Sequence, residues 1–321
     1  MTQPFATLHP SPRLLLGPGP SQISPRVLRA CATPLLGYLD PEYLTLMDET
    51  QSLLRTVFET SNEWTFCIPG TGMAGMEAAF VNFLQPGDPV VIGVHGVFGA
   101  RMVDICARLG AQVTRVDAEW GTALDPNKMA EAVRAAKPKL VAVVHAETST
   151  GVLQPLEKIS GIAHQAGALF LVDCVTSLGG IPVKVDERKI DIAYSGTQKC
   201  LGAPPSLAPF TCSPAAVEAF KARKTAVPSF YFDLGQIWRY WGPERAYHQT
   251  GMINMVYALR EALLEVAEEG LAARFARHLA NQQMLIAGLE ALGVQMAVKD
   301  PALRLPSLTT ALIPAGVDDK T

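Results

Sequence analysis

The sequence has no apolar run approaching the ~20 residues that a membrane-spanning helix needs. It has no Cys-x-x-Cys pair, and its six cysteines, at 31, 67, 106, 174, 200 and 212, are scattered. That distribution argues against both a structural zinc site and a disulfide framework, and predicts a reducing compartment, the cytoplasm. The six histidines form no pair at metal-ligand spacing and read as individual polar or structural residues. Charge is scarce, at 18% of residues with a net charge of −3, so neither nucleic acid nor an anionic membrane is indicated as a partner. There is no internal repeat and no low-complexity tract. The start, "MTQPFATLHPSPRLLLGPGPS", is rich in proline and has only Leu14–Leu16 as an apolar centre. That is too short for a secretory segment and predicts an arm on the protein surface or on a partner subunit.

What is present is apolar residue, 49% of 321. The length predicts one large domain plus a smaller one. The low charge predicts much buried sheet and a large subunit interface. From about residue 64 to 212, short apolar runs alternate with helical patterns. The predicted strands are 64–68, 88–94, 112–118, 139–147, 168–175 and 190–196. Helices are predicted after "GTGM" at 70–73 and over 99–110, 125–136 and 155–167. Fully apolar strands alternating with helices predict a mostly parallel sheet flanked by helices. A parallel return needs about a dozen residues of crossover. Only a short Gly/Pro loop precedes 206–212, so that strand is predicted to run antiparallel. Helices follow over 255–270 and 271–293, then strand-like pieces at 295–300 and 305–314. These look like the first half of a small α+β domain. The predicted division is therefore an arm at 1–20, a large α/β domain at 21–270 and an incomplete small domain at 271–321.

Ligands of open parallel sheets sit at the carboxyl ends of the strands. Reading those ends gives "PGTGM", "HGVFG", "HAETSTG", Asp173 and "GTQK". The stretch "GTGMAGMEAAF" (70–80) can bring backbone close to a ligand and offers a helix N-terminus to phosphate, although it is neither a P-loop nor a full G-x-G-x-x-G. Asp173 ends the apolar run "ALFLV" and either caps the next turn or meets a cation. With no metal-ligand cluster, that cation would be a protonated ring nitrogen. Phe98 is a core or lid aromatic, or a flat face for a heteroaromatic ring. Lys199 follows "IDIAYSGTQ", at the end of a buried strand among small residues, a setting for an aimed and partly desolvated amine. Lysine, carboxylate, phosphate cradle and stacking ring together match the requirements of pyridoxal 5′-phosphate.

Through "LLLGPGPS", "ETSTGVLQPL", "LVDCVTSLGGIPV", "YSGTQKCLGAPPSLAPF", "YHQTG" and "KDPALRLPSLTTALIPAG" the chain resembles the class V, fold-type I aminotransferases, within the alanine–glyoxylate / serine–pyruvate aminotransferase family. The resemblance runs through nearly the whole chain. It implies a fold-type I transferase that passes an amino group from alanine or serine to glyoxylate or pyruvate. Lys199 would be the Schiff-base lysine and proton carrier, and Asp173 the partner of the pyridine nitrogen. Phe98 would stack on the ring. Thr71, Gly72 and Met73 would form the phosphate-binding turn, although the family often has Ser and His at the first and third of these. Thr148 would contact the ring-oxygen region, and Gln198 would reach the phosphate. Tyr247 and Thr250 would reach the phosphate of a neighbouring subunit's cofactor, which implies a homodimer with shared sites.

One departure is expected: the family's substrate-carboxylate arginine lies in a segment beyond residue 321, and Arg304 does not match it. Two rival readings follow. One is a truncated, non-catalytic cofactor-holding subunit. The other is a related fold-type I enzyme such as a cysteine desulfurase, which needs a nucleophilic cysteine on a mobile loop, whereas Cys200 sits on a tight turn. A nicotinamide-binding enzyme would need the G-x-G-x-x-G that is missing.

Overall fold

The computed structural model describes residues 8 and 10–318. Residues 1–7 and 9 of the predicted arm, and 319–321, lie outside the described residues. The described chain opens with α1 (Pro25–Cys31) and α2 (Pro41–Phe58). Each begins with a side-chain cap followed by proline: Ser24 accepts from the Val27 amide and Asp40 from the Glu42 amide. A capped start with proline in the first turn costs no internal hydrogen bond.

The central elements follow in order: β1 (Trp64–Pro69), α3 (Gly72–Phe83), β2 (Pro89–Val94), α4 (Val97–Arg108), β3 (Gln112–Asp117), α5 (Pro126–Ala136) and β4 (Leu140–Val144). A short hairpin, β5 (Ala146–Glu147) with β6 (Val152–Leu153), precedes α6 (Glu157–Gln165), β7 (Leu169–Asp173), β8 (Ile192–Tyr194) and β9 (Leu207–Cys212). Seven strands form one sheet in the order β1-β9-β8-β7-β4-β2-β3. β9 is antiparallel to both neighbours, β1 and β8, while β8-β7-β4-β2-β3 pair in parallel. The sequence expectation for 206–212 is met, because the loop from 199 is too short to cross over. Running antiparallel to β9 on both sides makes β1 and β8 point the same way. The carboxyl ends of β1, β2, β4, β7 and β8 therefore share one edge. β1, β4 and β9 are buried along their whole length, which is why their sequences are runs and not alternations.

Some predicted elements are shorter. The run 139–147 leaves the sheet at His145, whose amide donates to the Asp173 carbonyl (3.0 Å). The chain then turns into the β5–β6 hairpin. The predicted strands 295–300 and 305–314 reduce to a single antiparallel bridge, Met296 to Ala311. Pro301, Pro306 and Pro314 withhold ladder donors there, and the Leu305 amide is spent on Gly151 O (3.1 Å). After β9 come α7 (Pro214–Lys221), α8 (Leu234–Trp241), α9 (Ile253–Glu269) and α10 (Leu271–Ala291). Gly270, with φ +80°, separates the last two.

Candidate active site

Lys199 lies in the turn after β8 and is half-buried. Its Nζ donates to the carbonyl of Pro18, in the strap that leads into α1. Ser21 fastens that strap: its hydroxyl donates to Lys199 O (2.7 Å) and its amide to Gln198 O (2.9 Å). A Cβ at Gly19 would lie 2.9 Å from Lys199 Cδ, and Gly19 has φ +141°, so only glycine lets the strap lie against the lysine stem. Burial lowers the Lys199 pKa, opposed by its electrostatic interactions with Cys200 and Asp173. A larger neutral fraction makes the amine a better nucleophile.

Asp173, the last residue of β7, is buried. Its Oδ1 accepts from the Val175 amide (2.8 Å) and its Oδ2 from the Tyr194 hydroxyl (2.8 Å). It therefore does cap the following turn, one of the two sequence readings. It also feels the charge of Lys199, which favours its ionised form. Burial pushes its pKa up to about 7; the Val175 amide and Tyr194 pull it down, Glu147 pushes it further up, and Lys199 pulls it down. Among the described residues it has no ion-pair partner. A buried carboxylate held near neutrality is ready for a cationic ligand.

α3 starts at Gly72 behind Thr71, whose side chain makes no capping bond. The Ala74 amide bonds Thr71 O (2.8 Å), while the side chain of Thr71 leaves the amides of Gly72 and Met73 open to another acceptor. Gly72 packs under Val175: a Cβ there would approach Val175 Cγ2 at 3.0 Å. Met73 Sδ accepts from Arg101 (3.6 Å), and the Arg101 guanidinium lies 4.8 Å from the centre of the Phe98 ring.

The sequence places Phe98 at a strand end with the helix starting at 99. The structure places it in the first turn of α4, which starts at Val97. The cause is Glu147, a residue that the sequence reading missed. Its buried carboxylate accepts from the amides of Phe98 (3.2 Å), Gly99 (3.3 Å) and Ser149 (3.2 Å), and from the Ser149 hydroxyl (2.7 Å). Ser149 Oγ in turn accepts from the Val97 amide (2.9 Å). These contacts cap α4 from outside the helix and lengthen it toward the rim. The signal was available: like Asp173, Glu147 is a carboxylate ending an apolar run.

Thr148 and Thr176 share a hydroxyl–hydroxyl hydrogen bond of 2.5 Å. Gln198 Oε1 is buried without a donor among the described residues. Cys200 Sγ donates to Thr176 O (3.7 Å), and burial raises its pKa, so it is not poised as a thiolate. Two histidines stand behind the rim, buried and neutral. Burial pushes His95 down to about 4, and burial with Arg188 pushes His145 down to about 3.

Thr71, Gly72, Met73, Phe98, Thr148, Asp173, Gln198 and Lys199 all come from the strand ends of this one edge. Tyr247 and Thr250 do not. They are exposed in the segment before α9, with hydroxyls 3.3 Å apart, and the Tyr247 ring lies 5.2 Å from that of Tyr38. A groove of about 510 Å³ between α1, α2 and α9, lined by Leu36, Tyr257 and Arg260 among others, contains none of the predicted residues.

A mostly parallel sheet with one antiparallel strand beside β8, flanked by helices, is the architecture of the fold-type I aminotransferases. Residues 14–319 match the family model described as aminotransferase class-V. The alanine–glyoxylate aminotransferase of Nostoc sp. superposes with a TM-score of 0.97 at 47% identity, covering 99% of this chain and 84% of that one. The (S)-ureidoglycine–glyoxylate transaminase of Bacillus subtilis is 40% identical over 96% of this chain and 78% of its own length. The alanine–glyoxylate aminotransferase of Felis catus is 41% identical over 95% and 75%. The chain belongs to the class-V aminotransferase family and is an aminotransferase. Two cysteine desulfurases share the fold at 16% identity, which carries nothing beyond the fold.

Proposed function

We propose that the protein uses pyridoxal 5′-phosphate to move an amino group from a small donor, alanine or serine, to glyoxylate or pyruvate. The observation that carries this is the presence on one rim of a half-buried lysine of lowered pKa and a buried carboxylate that has no ion-pair partner among the described residues. The residues present fit the cofactor. Asp173 would hold a protonated ring nitrogen, and Phe98 would lie against the ring. The start of α3 at Thr71, Gly72 and Met73, with Gln198, would take the phosphate. Thr148 would face the ring oxygen, and Lys199 would attach the cofactor. When bound, the ring withdraws electrons from the substrate's α-carbon. Lys199 Nζ then carries the α-proton, a role typically worth ~10²–10⁴-fold in rate. Asp173 keeps positive charge on the ring nitrogen. The strap at 17–20 shields the amine from water.

Glyoxylate is the acceptor common to the names of the alanine–glyoxylate and ureidoglycine–glyoxylate relatives, which favours it over pyruvate. The donors in those names differ, so (S)-ureidoglycine stands as a second candidate donor. Tyr247 and Thr250, exposed on this chain, would contact the cofactor of a second copy in a homodimer. The elbow at Gly270 supports a boundary between the large domain at 21–270 and the segment 271–321. The six free cysteines support a reducing compartment, the cytoplasm. Among the described residues no helix is long and apolar enough to cross a membrane.

The test is a matrix of alanine, serine and (S)-ureidoglycine against glyoxylate and pyruvate, with wild type and Lys199→Ala. Wild type should transaminate with at least one donor and prefer glyoxylate, and the variant should be inactive. Turnover surviving in Lys199→Ala, or none in wild type loaded with cofactor, would end this reading.

A further inference from the structure

The elbow between α9 and α10 reaches the lysine turn through one side chain. Arg274, in the first turn of α10, is 14% exposed. Its Nη2 donates to the carbonyl of Cys200 (2.6 Å), the residue after Lys199. Its Nε donates to the carbonyl of Gly179 (3.0 Å), in the turn that follows Asp173. Its Nη1 pairs with Glu269 (2.8 Å), the last residue of α9. One planar guanidinium thus joins the segment carrying the amine, the segment following the carboxylate, and the elbow. Three directed bonds from a rigid fork hold a geometry that a lysine's single ammonium cannot.

We propose that Arg274 is a positioning residue for Lys199: its clamp on Cys200 O and Gly179 O fixes the distance and orientation between the amine and Asp173. This rests on the function proposed above. Neighbouring bonds converge on the same point. Cys200 Sγ and the Ser307 hydroxyl both donate to Thr176 O, and Thr176 bonds Thr148. The charges around the clamp are Glu269, whose pKa is drawn to about 2 by its bonds to Arg277 and Arg274, together with Arg277, the neutral His278, and the Cys200 thiol. Those around the amine are Asp173 and Cys200, with Pro18 O as its acceptor. Arg277 pairs with the same Glu269 but bonds neither turn, so it is a built-in control.

The experiment compares wild type, Arg274→Met, Arg274→Lys and Arg277→Met. The cofactor-free full chain is labelled at Lys199 with an amine-reactive ester across pH and read by peptide mass. The loaded enzyme gives kcat and KM for the donor, and thermal melts report stability. A loosened turn hydrates the amine and raises its pKa, so labelling of Arg274→Met at pH 7 should slow by about threefold with its midpoint moved to higher pH. Its kcat should fall about ten- to a hundredfold with KM within about twofold, the mark of misplaced reacting groups. Arg274→Lys should fall between it and wild type, and Arg277→Met should match wild type in labelling and kcat. If Arg274→Met does not fold, Arg274→Lys decides. The proposal is overturned if the folded Arg274 variants lose melting temperature but keep the wild-type labelling profile and kcat. It is overturned equally if Arg277→Met reproduces their effect. An inactive wild type with normal labelling would refute the proposed function instead, a separable result.

Discussion

Asp173 and the two buried histidines pull on stability in opposite senses. His95 and His145 have folded values of about 4 and about 3 against 6.5 for the free side chain. Below pH 6.5 the unfolded chain takes up protons that the fold refuses, so this contribution is lost as pH falls. Asp173 has a folded value of about 7 against 3.8. Between those values the fold keeps a proton that the unfolded chain releases, so its ionisation costs stability as pH rises toward about 7. Between pH 4.5 and 6, these three groups give a net uptake on unfolding of about one proton. Asp173→Asn removes the opposing group, and the uptake becomes about two. Urea unfolding of the cofactor-free protein should then show the variant's stability falling with acid more steeply than wild type's, by about 1.4 kcal/mol per pH unit. Equal slopes would mean that Asp173 is ionised in the cofactor-free fold. Asp173 stands out in the sequence because it ends an apolar strand and its buried carboxylate must be accounted for. Its bond to Tyr194 does not, because β7 and β8 are brought side by side only by the sheet.

The elements of the rim were read well where a single apolar run makes the strand, as in β1 and β9, and poorly where contacts from elsewhere decide a boundary, as at the end of β4. α4 is the clearest case. Nothing within its own sequence caps it, Gly96 being the residue before it. Its start depends on a carboxylate about fifty residues later, and that shifts Phe98 from a strand end into a helix. A Cβ at Gly96 would fall 2.3 Å from Glu147 Cγ, so the glycine makes room for the cap. Glu147→Ala strands the amides of Phe98 and Gly99 and should cost about 1–3 kcal/mol in urea unfolding. Glu147→Gln keeps one acceptor and should cost less. A fully stable Glu147→Ala would show that the carboxylate does not set the start of α4. The antiparallel setting of β9 was legible from loop length alone. The pieces after 293 were not, because prolines allow extended backbone without a ladder.

Across the whole molecule, the arrangement is a consequence of strand direction. Because β9 alone is reversed, the turn of small residues before α3, the segment beneath Phe98, Asp173 and Lys199 all come from one edge of the sheet. Residues distant in sequence are assembled there, which is why a reading of strand ends alone grouped them. Contacts made by surfaces of this chain with a second copy, such as those proposed for Tyr247 and Thr250, have no such periodic signal. The clamp from Arg274 and the bonds by which the strap at 17–20 meets Lys199 were not legible, since each is a contact between segments that no local pattern relates. Everything proposed for the chemistry depends on which amine holds the cofactor. The direct measurement is peptide mass analysis of the full chain after incubation with pyridoxal 5′-phosphate and reduction with borohydride. The account expects the added mass on the peptide containing Lys199, at about one per chain, and its absence in Lys199→Ala. Label spread over surface lysines, or unchanged in that variant, would contradict it.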